Sequence, residues 1–253
     1  MVRKVWRAIY ERLYEFVIGV ILKLRYKLQV DGISSLKLDG KKGNLFLSNH
    51  VAEIDPIILE YLLWPKCYLR PIAADYLFHD PVVRWFLNSV RAIPIPSFIP
   101  GKSKKETLEH INKLYDYVAA GLDQGESFLL YPSGRLSRNG KEEIANQHSA
   151  HVLLHRAKEY NVYLIRVSGL WGSAFSRYKQ NSTPKLGRVC KKCFFFLLRR
   201  AFFFMPKRLV KVTISQFDSQ TLKQFPKRQD LNSFLSTWFN QEEEILPVEV
   251  PYT

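Results

Sequence analysis

Cysteine is scarce in this chain, which contains only Cys67, Cys190 and Cys193 among its 253 residues. Three cysteines are too few and too unevenly spaced for a disulfide framework, and this scarcity favours a reducing compartment that faces the cytosol. Cys190 and Cys193 have the spacing of half a zinc site, but no second pair with suitable spacing accompanies them. We therefore predict neither a disulfide framework nor a bound metal.

Long apolar runs are also missing. The longest early run, Phe16–Leu22, is far shorter than the roughly 20 residues that a membrane-spanning helix needs. Charged residues interrupt the region and no small-residue cleavage site follows it, which excludes a secretory signal. Apolar side chains between Val5 and Leu28 instead recur at helical spacing among basic ones. This pattern predicts a helix lying in the headgroup layer over residues 1–28, and a terminal helix packed on the core is the alternative.

Acidic residues are outnumbered, since 23 Asp and Glu face 38 Lys and Arg and give a net charge of +15. Such a balance predicts an anionic partner: nucleic acid, an anionic membrane surface, an acidic carrier protein or a phosphorylated substrate. Residues 188–208 alternate blocks of phenylalanine with lysine and arginine. Sites for single-stranded nucleic acid space their rings as separate stacking platforms, whereas blocked rings suit a membrane interface. We therefore predict membrane contact by this segment and no nucleic-acid partner.

Residues 29–253 alternate between strand-like and helix-like segments, which predicts one α/β domain with a mostly parallel or mixed central sheet flanked by helices. Pro71 predicts that its strand either lies at an edge of the sheet or ends early. The predicted strands cover residues 45–48, 68–74, 92–96, 127–131, 162–167 and 209–215.

The first candidate site follows the strand at 45–48. His50 can accept a proton near neutral pH, and Asp55 can fix its tautomer if the chain turns between them. Asp55 and Pro56 also predict the start of a helix, with Asp55 at the cap. A surface histidine beside a helix-capping aspartate is the alternative interpretation.

The second candidate site follows the strand at 127–131. Gly134 allows close approach of the backbone to a ligand, and Arg135 and Arg138 supply donors suited to a phosphate. An ordinary basic surface loop is the alternative. Because both sites follow buried strands, we expect them at one edge of the sheet. A base and an anion site together predict transfer to or from a phosphorylated alcohol.

The Asn49-His50-x-x-x-x-Asp55 motif, followed by the Pro-x-Gly-Arg loop at Pro132, resembles the lysophospholipid and glycerolipid acyltransferase family over about residues 25 to 215. The Pro-x-Gly-Arg-Leu-Ser form, with the segments 165–169 and 175–177, is similar to the branch that acylates 2-acylglycerophosphoethanolamine. The branch that acylates 1-acylglycerol-3-phosphate is the other near match.

This resemblance implies that His50, held by Asp55, deprotonates a lysophospholipid hydroxyl, which attacks a thioester of acyl carrier protein or coenzyme A. It implies no cofactor, and a peripheral or monotopic position on the cytoplasmic face of a membrane. It also implies that the acceptor and its phosphate are bound by Asn49, Arg91, Ser133, Gly134, Arg135 and Arg138.

The chain departs from the family pattern at two places that bear on activity. Ser133 stands where the family usually has a glutamate that helps to organise the acceptor site. Ser97 stands at a basic position, for which Arg91 or Lys102 is a candidate substitute. Ser133 is the main support for a non-catalytic lipid-binding homologue, and a lipid ester hydrolase is the other alternative.

Overall fold

A computed structural model of the protein describes residues 2–38, 40–96, 103–180, 182–199 and 206–241. In these ranges seven strands form one sheet: β1 (Tyr26–Asp31), β2 (Gly43–Ser48), β3 (Arg70–Ala74), β4 (Ile93–Ile95), β5 (Ser127–Leu130), β6 (Tyr160–Ser168) and β7 (Arg208–Phe217). The helices are α1 (Val2–Arg25), α2 (Asp55–Cys67), α3 (Pro81–Ser89), α4 (Lys104–Asp123), α5 (Ser149–Arg156), α6 (Leu186–Arg199), α7 (Ser219–Lys223) and α8 (Arg228–Phe239).

The strand order is β1-β7-β6-β2-β5-β3-β4. Strands β2, β3, β4, β5 and β6 all run parallel to one another. Strand β7 is antiparallel to β6, and β1 is parallel to β7. The predicted mixed α/β sheet flanked by helices is therefore confirmed. The carboxyl ends of β2, β5 and β6 share one edge, which we call the catalytic edge because the predicted base His50 follows β2 there. Strand β7 begins at this edge because it runs antiparallel to β6.

The sheet separates two apolar layers. Alternate residues of one strand enter opposite layers: in β2, Phe46 packs on one side, while Leu45 and Leu47 pack on the other. All six residues of β2 are buried, as expected for a central parallel strand covered on both faces. Burial of these side chains is the main force that holds the strand in the middle of the sheet.

Short-range side-chain contacts fix the starts of two helices. Ser103 and Glu106 form a capping box at the start of α4: the Ser103 hydroxyl accepts from the Glu106 backbone, and the Glu106 carboxylate accepts from the Ser103 backbone. Asp80 accepts from the backbone N–H of Val83 at the start of α3, at 3.1 Å. These signals are reliable because they are formed by residues three positions apart.

Two expectations about the sheet were wrong. The N-terminal helix ends at Arg25, and the next six residues form β1 instead of continuing the helix to residue 28. The partner of β1 is β7, with Tyr26 opposite Arg208, and this pairing is invisible to local pattern analysis. Pro71 lies in an interior strand between β5 and β4, where its position near the start of β3 makes it tolerable.

The aromatic and basic segment 188–208 contains most of α6 and the first residue of β7. Phe194 and Phe195 on α6 are each about half exposed, whereas Arg208 is fully buried and donates to the Gly169 carbonyl at 2.8 Å. Arg208 is thus a structural residue of the sheet and cannot face a membrane. Residues 200–205 of the segment lie outside the described residues. In the described part of the chain, no helix is long and apolar enough to cross a bilayer.

Candidate active site

The two predicted sites meet at the catalytic edge. Strands β2 and β5 are neighbours, so the loops that follow Ser48 and Leu130 leave the sheet side by side. The peptide of His50 ties the loops together: its carbonyl accepts from the Ser137 N–H at 2.7 Å, and its N–H donates to Glu142 Oε2 at 2.9 Å. The prediction that both motifs lie at one edge of the sheet is confirmed.

His50 and Asp55 form a hydrogen-bonded pair. The chain turns between them, and His50 Nδ1 lies 3.3 Å from Asp55 Oδ2. The carboxylate is fully buried, whereas the histidine side chain keeps 15% of its surface exposed. Because Nδ1 faces the carboxylate, Nε2 is the nitrogen that remains able to accept a proton.

The Asp55 carboxylate does not cap α2 as expected. Asp55 is the first residue of the helix, and the cap residue is Ile54, without a side-chain hydrogen bond. Oδ2 instead accepts from the backbone N–H groups of Val51 and Ala52 at 2.7 and 3.0 Å. The aspartate therefore folds the preceding loop around itself, and this loop carries His50.

A third segment braces this turn from outside. The N–H of Glu53 donates to the Phe175 carbonyl at 3.0 Å, and Ala52 forms a bridge with Ser176. Both partners belong to the loop after β6, in the segment 175–177 that the sequence comparison singled out. The turn between His50 and Asp55 is thus held by the loops that follow β5 and β6, the two neighbours of β2.

The surroundings of His50 favour its charged form. Burial lowers its pKa, but the hydrogen bond and charge of Asp55, with the charges of Glu53 and Glu142, outweigh burial and raise the pKa above its ordinary value. The imidazole also stacks on the Tyr131 ring, with centroids 4.2 Å apart. This packing fixes the ring plane, while the carboxylates stabilise the imidazolium that proton transfer would create.

The loop after β5 presents backbone and cationic groups beside His50. Gly134 has a φ of +63°, and a Cβ at this position would meet no atom within 4 Å, so the loop opens onto free space. Arg135 is exposed, and its guanidinium lies 3.9 Å from Glu143. The Ser133 hydroxyl is buried and donates to the Arg135 carbonyl at 2.9 Å. Ser133 thus shapes the loop from inside, while Gly134 and Arg135 face outward.

A cavity of about 560 Å³ begins at this loop. His50, Glu53, Gly134 and Arg135 line its polar part. Most of the remaining wall is apolar and comes from β3, the ends of β4 and β5, helices α3 to α5 and the start of α6. The cavity therefore combines a base, a cation and a large apolar surface, which suits an amphiphilic ligand.

Four predicted binding residues do not line this cavity: Asn49, Arg91, Ser133 and Arg138. The buried Asn49 amide exchanges two 2.8 Å hydrogen bonds with the Val167 backbone and so links β2 to β6. Arg138 lines a separate small depression, together with Ser133, Arg135 and Glu142. Arg91 precedes β4, so it lies at the opposite end of that strand from the catalytic edge. Arg91 is therefore in the wrong place for the predicted acceptor site, and Ser97 and Lys102 lie outside the described residues.

Sequence analysis missed three neighbours of His50. Tyr131 stacks on its ring, Glu53 lines the cavity, and Glu142 accepts from its N–H. Glu53 lies inside the first motif and Tyr131 directly precedes the second, but alone they give no signal of a role. Glu142 follows the second motif at a distance, and nothing in the sequence pairs it with His50. In the part of the chain that the structure describes, no three or more His, Cys, Asp or Glu side chains are grouped to hold a metal.

Comparison with known proteins identifies the family. The family model described as Acyltransferase matches residues 27–167, which is more than half of the chain, and the chain therefore belongs to the acyltransferase family. No curated protein sequence matches the chain.

The fold is shared with a solved relative. The crystal structure of the 1-acyl-sn-glycerophosphate (LPA) acyltransferase PlsC from Thermotoga maritima superposes with a TM-score of 0.62 at 15% identity. The match covers 94% of this chain and 80% of that one. At this level of identity, the match supports the α/β fold, while the family assignment rests on the sequence.

Proposed function

We propose that this chain transfers a fatty acyl group from an acyl thioester to the free hydroxyl of a lysophospholipid or lysophosphatidic acid at a membrane surface. The observation that carries the proposal is that His50, paired with Asp55, lines the same cavity as Gly134 and Arg135. A base for an alcohol and a cation for a phosphate thus face one apolar space. We propose no cofactor, and the acyl thioester is a co-substrate.

The reaction needs one base and no covalent enzyme intermediate. His50 Nε2 takes the proton of the acceptor hydroxyl, while Asp55 stabilises the imidazolium. The acceptor oxygen then bonds to the thioester carbonyl carbon and gives a tetrahedral oxyanion. Collapse of this species breaks the C–S bond, and the departing thiolate recovers the proton from His50. Donor and acceptor are thereby converted to ester and thiol with all atoms balanced.

Arg135 is the candidate ligand for the acceptor phosphate. Its partner Glu143 lies 3.9 Å away at the surface. Because an exposed ion pair contributes little free energy, the guanidinium loses little stabilisation when it binds a phosphate instead. The open backbone at Gly134 would let the phosphate approach closely. Arg138 belongs to the same loop but lines a separate small depression, from which it would attract the anion at longer range.

Membrane association is supported by two helices that connect to the sheet at the catalytic edge. The α1 side chains Phe16, Val17, Val20 and Ile21 are exposed, as are Phe194, Phe195 and Leu198 on α6. The net charge of +15 suits an anionic leaflet or an acidic acyl carrier protein. All three cysteines are free, which agrees with a position on the cytoplasmic face.

The test is an acyl-transfer assay with the purified full chain. Thioesters of acyl carrier protein and coenzyme A are offered with a panel of lysolipids that includes lysophosphatidic acid and 2-acylglycerophosphoethanolamine. We expect His50→Ala to abolish ester formation, and His79→Ala, a change at an exposed histidine outside the cavity, to preserve it. Product that persists in His50→Ala would refute the proposal.

The same assay separates the two alternatives. Free fatty acid released without an acceptor, and lost in His50→Ala, would identify a hydrolase. Lysolipid binding that is indifferent to His50, with no ester formed from any donor, would identify a non-catalytic lipid-binding homologue.

A further inference from the structure

Glu142 is a buried carboxylate whose contacts the proposed reaction does not yet use. It is only 3% exposed, and its Oε2 accepts the backbone N–H of His50 at 2.9 Å. Its own peptide is clamped by Asn240 at the end of α8: Asn240 Oδ1 accepts from the Glu142 N–H, and Asn240 Nδ2 donates to the Glu142 carbonyl, both at 2.9 Å. These two hydrogen bonds fix the backbone of Glu142, from which its side chain reaches the His50 N–H.

The same carboxylate adjoins the inner face of the Gly134 loop. Ser133 and Glu142 line one small depression. Burial raises the pKa of Glu142, while the nearby Ser133 side chain, the hydrogen bond from the His50 N–H and the charge of His50 act against this rise. Ser133 is itself buried. Glu142 thus lies between the residue that would take the proton and the loop that would hold the phosphate.

We propose that Glu142 is a positioning residue that sets His50 against the Gly134–Arg135 loop and so takes the place of the glutamate that this chain lacks at position 133. The inference rests on the acyl transfer proposed above. A serine at position 133 leaves room for the Glu142 side chain, which reaches the same region from nine residues further along the loop. On this account, Ser133 is a rearrangement of the site and not a sign of lost activity.

The role of Glu142 has a geometric part and an electrostatic part. As an acceptor it holds the His50 peptide, whose carbonyl is held by Ser137. As a charge it helps to raise the pKa of His50, together with Asp55 and Glu53. Gln keeps the acceptor and removes the charge, whereas Ala removes both, so these two substitutions separate the parts.

The experiment measures kcat, KM and pH profiles of Glu142→Ala and Glu142→Gln, with Glu159→Gln as an exposed control. We expect Glu142→Ala to lower kcat about 10- to 100-fold with little change in the KM of the thioester. We expect Glu142→Gln to retain most of kcat and to shift the acid limb of kcat/KM to lower pH, because the imidazolium loses a stabilising charge. Thermal unfolding of each variant checks that the fold is intact.

A rescue distinguishes positioning from a merely structural role. Ser133→Glu alone would bring a second carboxylate beside Glu142 in a buried space, and we expect it to lower activity at least tenfold. In Ser133→Glu/Glu142→Ala, the new carboxylate has the space to itself, and we expect the double variant to exceed both single variants in kcat. This coupling is opposite to the additive loss expected of independent damage.

The inference is overturned if both Glu142 variants stay within twofold of the wild type with an unchanged pH profile, or if the double variant does not exceed both single variants in kcat. His50→Ala is assayed in parallel: if it is inactive, either result removes the inference alone. An active His50→Ala enzyme would remove the proposed function and, with it, the role of Glu142.

Discussion

Replacing Asp55 with asparagine tests the centre of the proposed mechanism. One carboxylate oxygen, Oδ2, contacts the Val51 and Ala52 N–H groups at 2.7 and 3.0 Å and His50 Nδ1 at 3.3 Å. An asparagine oxygen can still accept from the two backbone groups, so the turn is kept. That same oxygen still faces His50 Nδ1, and the amide nitrogen takes the place of Oδ1, for which the described residues supply no hydrogen-bond partner. What the substitution removes is the negative charge, which strengthens the hydrogen bond that orients the imidazole and stabilises the imidazolium formed by proton transfer.

The expected loss follows from the two functions removed. A positioned general base contributes about 10²- to 10⁴-fold, which corresponds to roughly 3 to 5 kcal/mol of transition-state stabilisation. Asp55→Asn should lose most of this in kcat while unfolding within about 1 kcal/mol of the wild type, because both backbone donors keep an acceptor. Asp55→Ala leaves both donors unpaired and buried, which should cost a further 2 to 6 kcal/mol of stability, at about 1 to 3 kcal/mol for each group.

The assay follows thiol release from an acyl thioester together with ester formation, and thermal and urea unfolding give the stability of each variant. Asp116→Asn serves as the control, since Asp116 lies on α4 in a surface ion pair with Arg156. The reasoning is refuted if Asp55→Asn keeps more than a tenth of wild-type kcat with the same pH profile. It is also refuted if Asp55→Asn unfolds as easily as Asp55→Ala.

Three further outcomes are expected. Arg135→Ala should raise the KM of a phosphate-bearing acceptor about tenfold or more, with little change in kcat. Arg138→Ala should raise the same KM less than threefold. Equal effects of the two substitutions in acceptor titrations would contradict this arrangement. Phe195→Glu should reduce cosedimentation with phosphatidylglycerol vesicles several-fold, while Tyr68→Ser, a change at the far end of α2, should not; equal binding by both would argue against an α6 contact. Because the pKa of His50 is raised and the neutral imidazole is the base, kcat/KM should fall to half at a pH above about 6.5 on the acid side. A half-point below pH 6 would contradict this assignment.

The parts of the site that sequence analysis predicted are formed by residues that lie close together in the sequence. An apolar run followed by Asn49, His50 and an Asp-Pro pair defines a strand, a turn and a helix within about ten positions. The His50–Asp55 contact needs only that this turn closes. The Ser103–Glu106 capping box, outside the site, shows the same principle, because it needs only one helical turn. Such contacts can be predicted because the short segment between the two residues allows them few arrangements.

The parts that were missed depend on distant pairings. Strand β1 looks like a continuation of α1, because residues 26–28 keep the alternation of apolar and basic side chains; it is a strand because β7 lies opposite. Glu142 is 92 residues from the peptide that it binds. Arg91 was wrong for a topological reason: in a parallel arrangement, the residue before β4 and the residue after it lie at opposite edges of the sheet. A sequence position near a motif is therefore a weak guide, whereas a position after a strand is a strong one.

The reversal of chain direction at β7 explains how the candidate site and the two helices proposed to contact a membrane come together. In an all-parallel sheet, β7 would begin at the edge away from His50, and the segment before it would end there too. Because β7 is antiparallel to β6, Lys211 near its start lies opposite Ser168 at the end of β6, on the catalytic edge. Strand β1 is parallel to β7, so α1 also meets the sheet there. One antiparallel strand thus brings both helices with exposed apolar side chains to the edge that holds His50. If the acceptor is bilayer-bound, as proposed, this arrangement gives it a short path from the membrane to His50.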